Sequence, residues 1–258
     1  MRRIRVIPTL LMRNGGLVKT TRFGKAVYVG DPVNTLRILN EKEVDEVVVL
    51  DIDASRTGSA PDVARIRRLA GECFMPLTYG GGISSVDQIH TILAAGVEKV
   101  VLNSACATAP GLITDAARRF GSQAVVVALD VRRRWWLGHR TYTHAGTRAL
   151  GMTPVEAARK AEQMGAGEIL LTSIDREGTY LGYDLDLVRP VCAAVSVPVI
   201  ANGGARALDD FPRAVAAGAS AVAASSMFMF QGPHRAVLVS YPEYGVLRNV
   251  FAGSEHRT

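Results

Sequence analysis

The residues best suited to chemistry stand directly after short apolar runs. Asp130 ends the run at residues 124–130, and glycine-rich turns follow two other runs, at residues 80–82 and 203–205. A carboxylate whose pKa is raised by burial can act as a general acid or base, and glycine turns expose backbone N–H groups that can surround a phosphate. The pattern therefore predicts proton transfer and phosphate binding at the ends of these runs. A structural salt bridge is the alternative role for Asp130.

Small hydroxyl and amide side chains accompany both glycine turns. The two groups are Gly81, Gly82, Asn103 and Ser104, and then Gly203, Gly204, Ala205, Ser225 and Ser226. A single glycine turn is weak evidence, because tight turns need glycine for conformational reasons. Two turns at matching positions, each followed by serine, predict two phosphate cups on opposite sides of one site. Such a site would hold a small molecule with a phosphate at each end.

The first half of the chain lacks a carboxylate where the second half has Asp130. Residues 8–15 occupy the equivalent place and contain neither aspartate nor glutamate. Lys19, a few residues later, could reach a substrate phosphate or could be a solvated loop lysine. Asp51, Asp53 and Asp175 also stand at the ends of runs. We therefore expect the two halves to differ chemically at this point.

Eight apolar runs alternate with alanine-rich amphipathic segments. The runs lie at residues 4–10, 46–51, 77–79, 99–102, 124–130, 168–171, 198–201 and 219–223. Continuous apolar runs are typical of parallel strands that are covered on both faces. Eight strands with eight crossovers predict a (β/α)₈ TIM barrel, with the chemistry at the carboxyl ends of the strands.

One sequence offset relates the two halves of the chain. Three pairs are each 122 residues apart: Gly81 and Gly203, Ser104 and Ser226, and Asp53 and Asp175. A doubly wound sheet would also alternate strands and helices, but it would not explain an offset carried across three strand ends. We predict one barrel domain over residues 1–258, built from half-barrels at 1–122 and 123–244 with a C-terminal tail at 245–258.

Composition limits the possible partners. The chain has 258 residues, of which 48% are hydrophobic, and a formal net charge of +6. The basic residues are scattered, which argues against nucleic acid and favours an anionic small molecule. No apolar stretch is long enough to span a bilayer, so no membrane partner is expected. Cys73, Cys106 and Cys192 form no CxxC pair, which predicts buried free thiols in a reducing compartment and a cytoplasmic protein.

Histidines do not suggest a metal site. His90, His139, His144 and His234 stand in helix or loop contexts without partners at metal-ligand spacing. We read each as a surface residue or a local hydrogen-bonding group. Neither a metal nor an organic cofactor is predicted.

Several motifs resemble one family. They are the segments at residues 5–8, 15–19, 80–83, 120–124 and 165–175, together with Gly178 and Thr179. Nearly the whole chain resembles the cyclase subunit of imidazole glycerol phosphate synthase. The resemblance implies a (β/α)₈ barrel that docks a glutaminase on its amino-terminal face. It also implies that ammonia passes through the barrel and is joined to a bis-phosphorylated nucleotide precursor.

The resemblance also assigns residues. It implies that Arg5, Glu46, Lys99 and Glu168 form a ring of four charged side chains that gates the ammonia entrance. A ring that only stabilises the fold is the alternative. The substrate-binding set gains Thr172, Ser173 and Gly178, which lie in the shared motifs.

One departure bears on activity. The family uses two aspartates; Asp130 matches one, but Leu11 stands at the position of the other, and leucine cannot move a proton. Loss of one member of such a pair typically costs about 10²- to 10⁴-fold in rate. Glu177 also replaces the usual aspartate after Arg176, which keeps hydrogen-bonding capacity.

Three functions are compatible with this pattern. The segments at residues 72–76, 97–102 and 232–242 resemble a paralogous branch associated with acetamidino sugars of surface polysaccharide, in which the barrel passes ammonia toward a separate amidotransferase. Histidine-pathway cyclisation is the first alternative. A phosphate-binding scaffold that only activates the glutaminase is the second. The related phosphoribosyl isomerase is disfavoured, because it needs carboxylates in both halves and no ammonia gate.

Overall fold

A computed structural model describes residues 3–109, 111–232 and 234–252, apart from the side chains of Ser55 and Cys106. Eight strands form its centre. They are β1 (Arg5–Arg13), β2 (Val47–Asp51), β3 (Leu77–Gly80), β4 (Lys99–Leu102), β5 (Val125–Arg134), β6 (Glu168–Ser173), β7 (Val199–Asn202) and β8 (Ala221–Ala224). Each contains one of the eight predicted apolar runs, shifted by a few residues at most.

The eight strands close into a ring. Each pairs in parallel with the next along the chain, from β1–β2 to β7–β8. β8 then pairs in parallel with β1, Arg5 opposite Ala221, which closes the ring. The predicted (β/α)₈ TIM barrel is confirmed.

Side chains of the strands alternate between two apolar layers. Along β4, Val101 points into the barrel, where it packs with Ile7, Val48 and Leu170. Val100 and Leu102 point outward and pack under the helices. This alternation follows from the two-residue period of a strand. Because both faces are covered, the strands carry apolar residues at consecutive positions.

Eight helices surround the strands. They are α1 (Pro32–Glu41), α2 (Val63–Gly71), α3 (Val86–Ala94), α4 (Gly111–Phe120), α5 (Pro154–Gln163), α6 (Leu185–Cys192), α7 (Asp210–Ala216) and α8 (Tyr244–Ala252). Side-chain caps set several of their starts. Asp31, Asp62, Ser85 and Asp184 each accept a backbone N–H of the first turn, and Thr153 forms a capping box with Glu156.

β1 and β5 continue beyond their predicted ends into antiparallel extensions. After β1, strand Gly16–Lys19 pairs antiparallel with β1, and strand Val27–Gly30 pairs antiparallel with Gly16–Lys19. After β5, strand Gly138–Thr143 pairs antiparallel with β5 and then with strand Arg148–Ala149. The short helices Ala54–Thr57, Ala105–Thr108 and Ser226–Met229, the 3₁₀ turn Ser122–Ala124 and the strand pair Phe230–Gln231 with Ala236–Val237 complete the described elements. Loops after β1 and β5 therefore stand over the carboxyl ends of the strands.

Strand register repeats between the halves. Val47 pairs with Leu77 on the β2–β3 ladder, and Ile169 with Val199 on the β6–β7 ladder, 122 residues later on both strands. The β3–β4 and β7–β8 ladders repeat in the same way. Corresponding residues of the two halves therefore occupy equivalent places in the barrel.

Two expectations need refinement. The predicted tail begins within α8, whose Leu247 is buried in the core, while residues 253–258 lie outside the described residues. Cys73 and Cys192 are free but half-buried rather than buried, and burial raises the pKa of each thiol to about 11. The side chain of Cys106 lies outside the described residues. No helix within residues 3–109, 111–232 and 234–252 is long and apolar enough to cross a bilayer.

Candidate functional site

A cavity opens at the carboxyl ends of the strands. Most of the predicted substrate-binding residues line it: Gly81, Gly82, Asn103, Ser104, Asp130, Thr172, Gly178, Gly203, Gly204, Ala205, Ser225 and Ser226. Ser173 does not, because its hydroxyl turns away to donate to Asp184 Oδ2 at 3.3 Å. Lys19, also predicted to bind substrate, is not among the lining residues either. The predicted set therefore marks most of the wall of one cavity, and ligand binding by its members stays a prediction.

Asp130 lies in the cavity wall, between the buried residues Leu129 and Val131 of β5. Burial raises its pKa to about 7, although the amide of Asn103 opposes this shift by donating to Asp130 Oδ2 at 3.2 Å. A carboxyl group with a pKa near neutrality can both give and take a proton at physiological pH. The geometry therefore suits Asp130 for general acid–base chemistry.

Leu11 occupies the place of Asp130 in the first half. Leu11 pairs with Leu50 on β2, whereas Asp130 pairs with Thr172 on β6, and Leu50 and Thr172 are 122 residues apart. Leu11 also lines the cavity. The two positions are thus structurally equivalent, and one of them cannot exchange a proton.

A pair of hydrogen bonds supports this equivalence. Asn103 donates to the carbonyl oxygen of Ala128 at 3.0 Å, two residues before Asp130. Ser225, the counterpart of Asn103, donates to the carbonyl oxygen of Thr9 at 2.5 Å, two residues before Leu11. The backbones around the two positions are therefore braced in the same way.

Lys19 is buried beside this first-half position. Its ammonium donates to the Thr9 carbonyl oxygen at 3.0 Å and to the hydroxyl of Ser225. Burial lowers the pKa of Lys19 to about 7, against the attraction of Glu177. The alternative of a solvated loop lysine is wrong, because the strand Gly16–Lys19 folds back over the barrel mouth and buries the side chain; phosphate binding by Lys19 stays a prediction. A buried amine therefore stands near the place where the carboxylate is missing.

Glu177 lines the cavity, although it was not among the predicted site residues. Its Oε2 accepts from the hydroxyl of Thr20 at 3.0 Å, while its Oε1 is buried without a hydrogen-bond partner among the described residues. Burial raises the pKa of Glu177, and the ammonium of Lys19 opposes that shift. Unsatisfied buried carboxylate oxygens are costly, so this atom is poised to accept a hydrogen bond from a ligand in the cavity.

The glycine turns are required by the backbone itself. Gly81 has φ of +128°, and a Cβ there would lie 2.5 Å from the carbonyl oxygen of Asp51. Gly203 has φ of +92°, and its Cβ would lie 2.7 Å from the carbonyl oxygen of Ser173. Both turns need glycine whether or not they bind phosphate. The phosphate cups thus stay predictions, supported by position more than by residue type.

The second cup includes groups that the sequence did not reveal. The Ser226 hydroxyl is buried without a partner among the described residues. Tyr180 lines the cavity and donates to the Ser226 carbonyl oxygen at 3.1 Å, and the guanidinium of Arg235 lies 5.1 Å from the Tyr180 ring centroid. Tyr180 has no counterpart in the 122-residue repeat, so periodicity could not find it.

Near the first cup the Ser104 hydroxyl and the Arg13 guanidinium are already engaged. Ser104 accepts the backbone N–H of His144 at 3.0 Å. Arg13 lines the cavity and donates to Asp53 Oδ2 at 2.7 Å. Arg56, three residues after Asp53, also lines the cavity. Basic side chains at one side of the mouth suit a phosphorylated ligand.

The opposite end of the barrel carries the predicted ring. Glu46 and Glu168 are almost completely buried, and each accepts from both Arg5 and Lys99. Arg5 lies 2.5 Å from Glu46, and Lys99 lies 2.9 Å from Glu46 and 3.1 Å from Glu168. We call these four residues the charged ring. The convergence expected from the resemblance is present in the structure.

Comparison with known proteins gives the family. The model of the family described as "Histidine biosynthesis protein" matches residues 5–233. A Pseudomonas aeruginosa protein, provisionally named imidazole glycerol phosphate synthase subunit HisF2, is 49% identical over 96% of this chain and 99% of its own length. A Vibrio vulnificus protein, provisionally named subunit HisF3, is 48% identical over 94% of each chain. Imidazole glycerol phosphate synthase subunit HisF of Hyphomonas neptunium is 44% identical over 89% of this chain and 91% of its own. The chain therefore belongs to the HisF-like cyclase subunits within the histidine biosynthesis family.

Proposed function

We propose that the chain is the ammonia-accepting barrel subunit of a glutamine amidotransferase. A separate HisH-like glutaminase docks on the amino-terminal face, and ammonia passes the charged ring and moves through the barrel. It then reaches the cavity, where a ligand with two phosphate groups is bound. The observation that carries the proposal is the charged ring at one end of a barrel whose other end holds the Asp130 cavity.

The barrel interior suits neutral ammonia better than ammonium. Between the ring and the cavity it is lined by apolar side chains, among them Val48, Val126, Leu170 and Ala223. An unpaired cation is costly in such surroundings, whereas a small neutral molecule is not. The barrel interior is packed, and the four side chains of the charged ring contact one another across its entrance. Passage of ammonia therefore requires the charged ring to open. Arg5 and Lys99 each bridge both glutamates, so displacement of either side chain would open the ring.

The amino-terminal face offers a surface for the glutaminase. Phe74, in the loop before β3, is 89% exposed, and Tyr244 at the start of α8 is also exposed. Arg3 covers the Tyr244 ring at 4.7 Å from its centroid. Exposed aromatic and arginine side chains are the residues that most often anchor interfaces. Their position beside the ring would place a docked glutaminase over the ammonia entrance.

Leu11 favours a role apart from ordinary histidine synthesis. With Leu11 in the place of the first aspartate, we propose that ammonia leaves the barrel for a separate amidotransferase that amidinates a sugar precursor. The resemblance of residues 72–76, 97–102 and 232–242 to the acetamidino-sugar branch supports this assignment.

Histidine-pathway cyclisation is the second candidate. It is supported by the retained Asp130, by the two predicted phosphate cups and by the relatives named as synthase subunits. A scaffold that binds phosphates and activates the glutaminase without chemistry is the third. An Asp130→Asn variant separates the last two, since only cyclisation needs the carboxyl group.

The test uses the chain with the glutaminase encoded nearest to it. We expect the chain to raise glutamine hydrolysis at least about tenfold and Phe74→Asp to abolish that stimulation, with little consumption of the histidine-pathway precursor. Tyr28→Asp, at another exposed aromatic on the opposite end, is the matched control. Consumption of the precursor at the rate of ordinary cyclases would favour the second candidate. No stimulation of that glutaminase or of a histidine-pathway glutaminase would reject the ammonia-subunit proposal.

A further inference from the structure

The hairpin that extends β5 carries three large apolar side chains at its tip. Trp135 and Trp136 are 87% and 89% exposed, and Leu137 is more than half exposed. The two indole rings meet edge to face with centroids 5.9 Å apart. Neither the cavity nor the charged ring uses these residues. Adjacent exposed tryptophans mark an interaction surface, because burying them would be strongly favourable.

The hairpin is held firmly below its tip. The backbone N–H of Arg133 donates to Asp175 Oδ2 at 2.7 Å, and the Arg132 guanidinium lies 5.3 Å from the Tyr142 ring centroid. His139 Nε2 lies 3.2 Å from Asp184 Oδ2. These contacts fix the base of the hairpin to the loops around the mouth, so the tip projects from the carboxyl-terminal face.

Positive charge lies directly beneath the apolar tip. Arg133 and Arg134 are exposed, and within the described part of the chain neither guanidinium forms an ion pair. The hairpin therefore carries apolar side chains at its tip and two unpaired arginines immediately before the tip. A bilayer surface has the complementary order, because anionic phosphates lie above the acyl boundary where tryptophan is most favourable.

We propose that this tip inserts into the surface of an anionic lipid bilayer. A protein partner is less well supported, because a stable interface needs about 800 Å² on each side and a matching pocket, whereas a narrow three-residue tip can enter lipid without one. The sequence expectation of no membrane partner rested on the absence of a spanning segment, which does not bear on interfacial contact. The contact would leave the amino-terminal face, at the other end of the barrel, free.

The position of the tryptophans permits a direct test. The chain contains two tryptophans, both at this tip, so intrinsic fluorescence reports on the proposed contact alone. With vesicles of phosphatidylcholine and phosphatidylglycerol at about 7:3, we expect a blue shift of emission and co-sedimentation of the protein. Pure phosphatidylcholine vesicles should bind at least about tenfold more weakly.

Variants assign the effect to the tip. Trp135→Ser/Trp136→Ser should abolish sedimentation, and Arg133→Gln/Arg134→Gln should reduce binding to anionic vesicles by about 30-fold, since each arginine near a membrane contributes about 1 kcal/mol. Phe74→Ser, which removes an equally exposed aromatic from the opposite end, is the control and should bind as wild type. Melting temperatures verify that each variant folds.

Several outcomes would overturn the proposal. They are failure of the wild type to bind anionic vesicles, equal binding to both vesicle types, and binding that survives the double serine variant. Self-association that requires the tryptophans, without vesicle binding, would instead identify a second copy of the chain as the occupant.

Discussion

The two half-barrels share strand register but differ in the groups that they supply. At the mouth, the second half provides Asp130, whereas the first half has Leu11 with the buried ammonium of Lys19 close to the same backbone. At the other end both cations of the charged ring, Arg5 and Lys99, come from the first half. Alanine stands at their counterparts, residues 124 and 221. Matching backbones therefore carry unequal chemistry, and equivalence of position does not imply equivalence of role.

The glutamates of the charged ring should give the largest measurable difference. Glu46→Gln leaves two partly buried cations to share one buried carboxylate and should lower the free energy of unfolding by about 3 kcal/mol in urea titrations at pH 7. Glu168→Gln should cost about 2 kcal/mol, because Lys99 donates to both oxygens of Glu46, at 2.9 and 3.0 Å, but to one oxygen of Glu168, at 3.1 Å. Thr78→Val, which removes a hydroxyl that donates to Glu46 at 2.9 Å, measures what that bond adds. Equal costs for the two glutamine variants would contradict the asymmetry.

Leu11→Asp should restore symmetry at the mouth. With ammonium and the histidine-pathway precursor, the wild-type chain should turn over very slowly, and the variant should be faster by about 10² or more because a second proton-transfer group is present. Leu11→Asn introduces a side chain of nearly the same shape as aspartate but without a titratable proton, so this variant should remain slow. A wild-type rate like that of ordinary cyclases would show that the first-half carboxylate is dispensable.

Asp130→Asn should change how the stability of the protein depends on pH. Burial raises the pKa of Asp130 to about 7, above the unfolded value of about 3.9. The wild type therefore loses stability as pH rises from about 4 to 7, since the folded state resists ionisation. The variant escapes this loss and should be more stable by up to about 4 kcal/mol at pH 8, with no gain at pH 4. A pH-independent difference between the two proteins would contradict the shifted pKa.

The smallest expected difference concerns the two cups. Ser226→Ala should weaken binding of a bis-phosphate such as fructose 1,6-bisphosphate by about fivefold in calorimetry, equivalent to one hydrogen bond. Ser104→Ala should have less effect, because that hydroxyl already donates to Asn103 Oδ1 at 3.3 Å. Unchanged affinity in both variants would argue against phosphate binding at these serines.

Patterned features were predictable and contacts across long sequence separations were not. The strands followed from apolar runs, and most of the cavity wall followed from the repeat, because both are written in local residue types. Lys19 could not be recognised as buried, since its partner Ser225 lies 206 residues away. Tyr180 lies outside the repeat. The hairpin after β5 was missed because its arginines and tryptophans do not alternate like a half-buried strand.

The origin of the cations in the charged ring has a consequence for how the halves recognise each other. Two first halves brought together would place two copies each of Arg5 and Lys99 around two copies of Glu46, an excess of buried positive charge. Two second halves would face two copies of Glu168 with no cation at the positions now held by Ala124 and Ala221. Only one half of each kind balances the charge. The charges of the ring therefore favour the pairing of one first half with one second half over a homodimer of either half. This preference is independent of any role in the passage of ammonia.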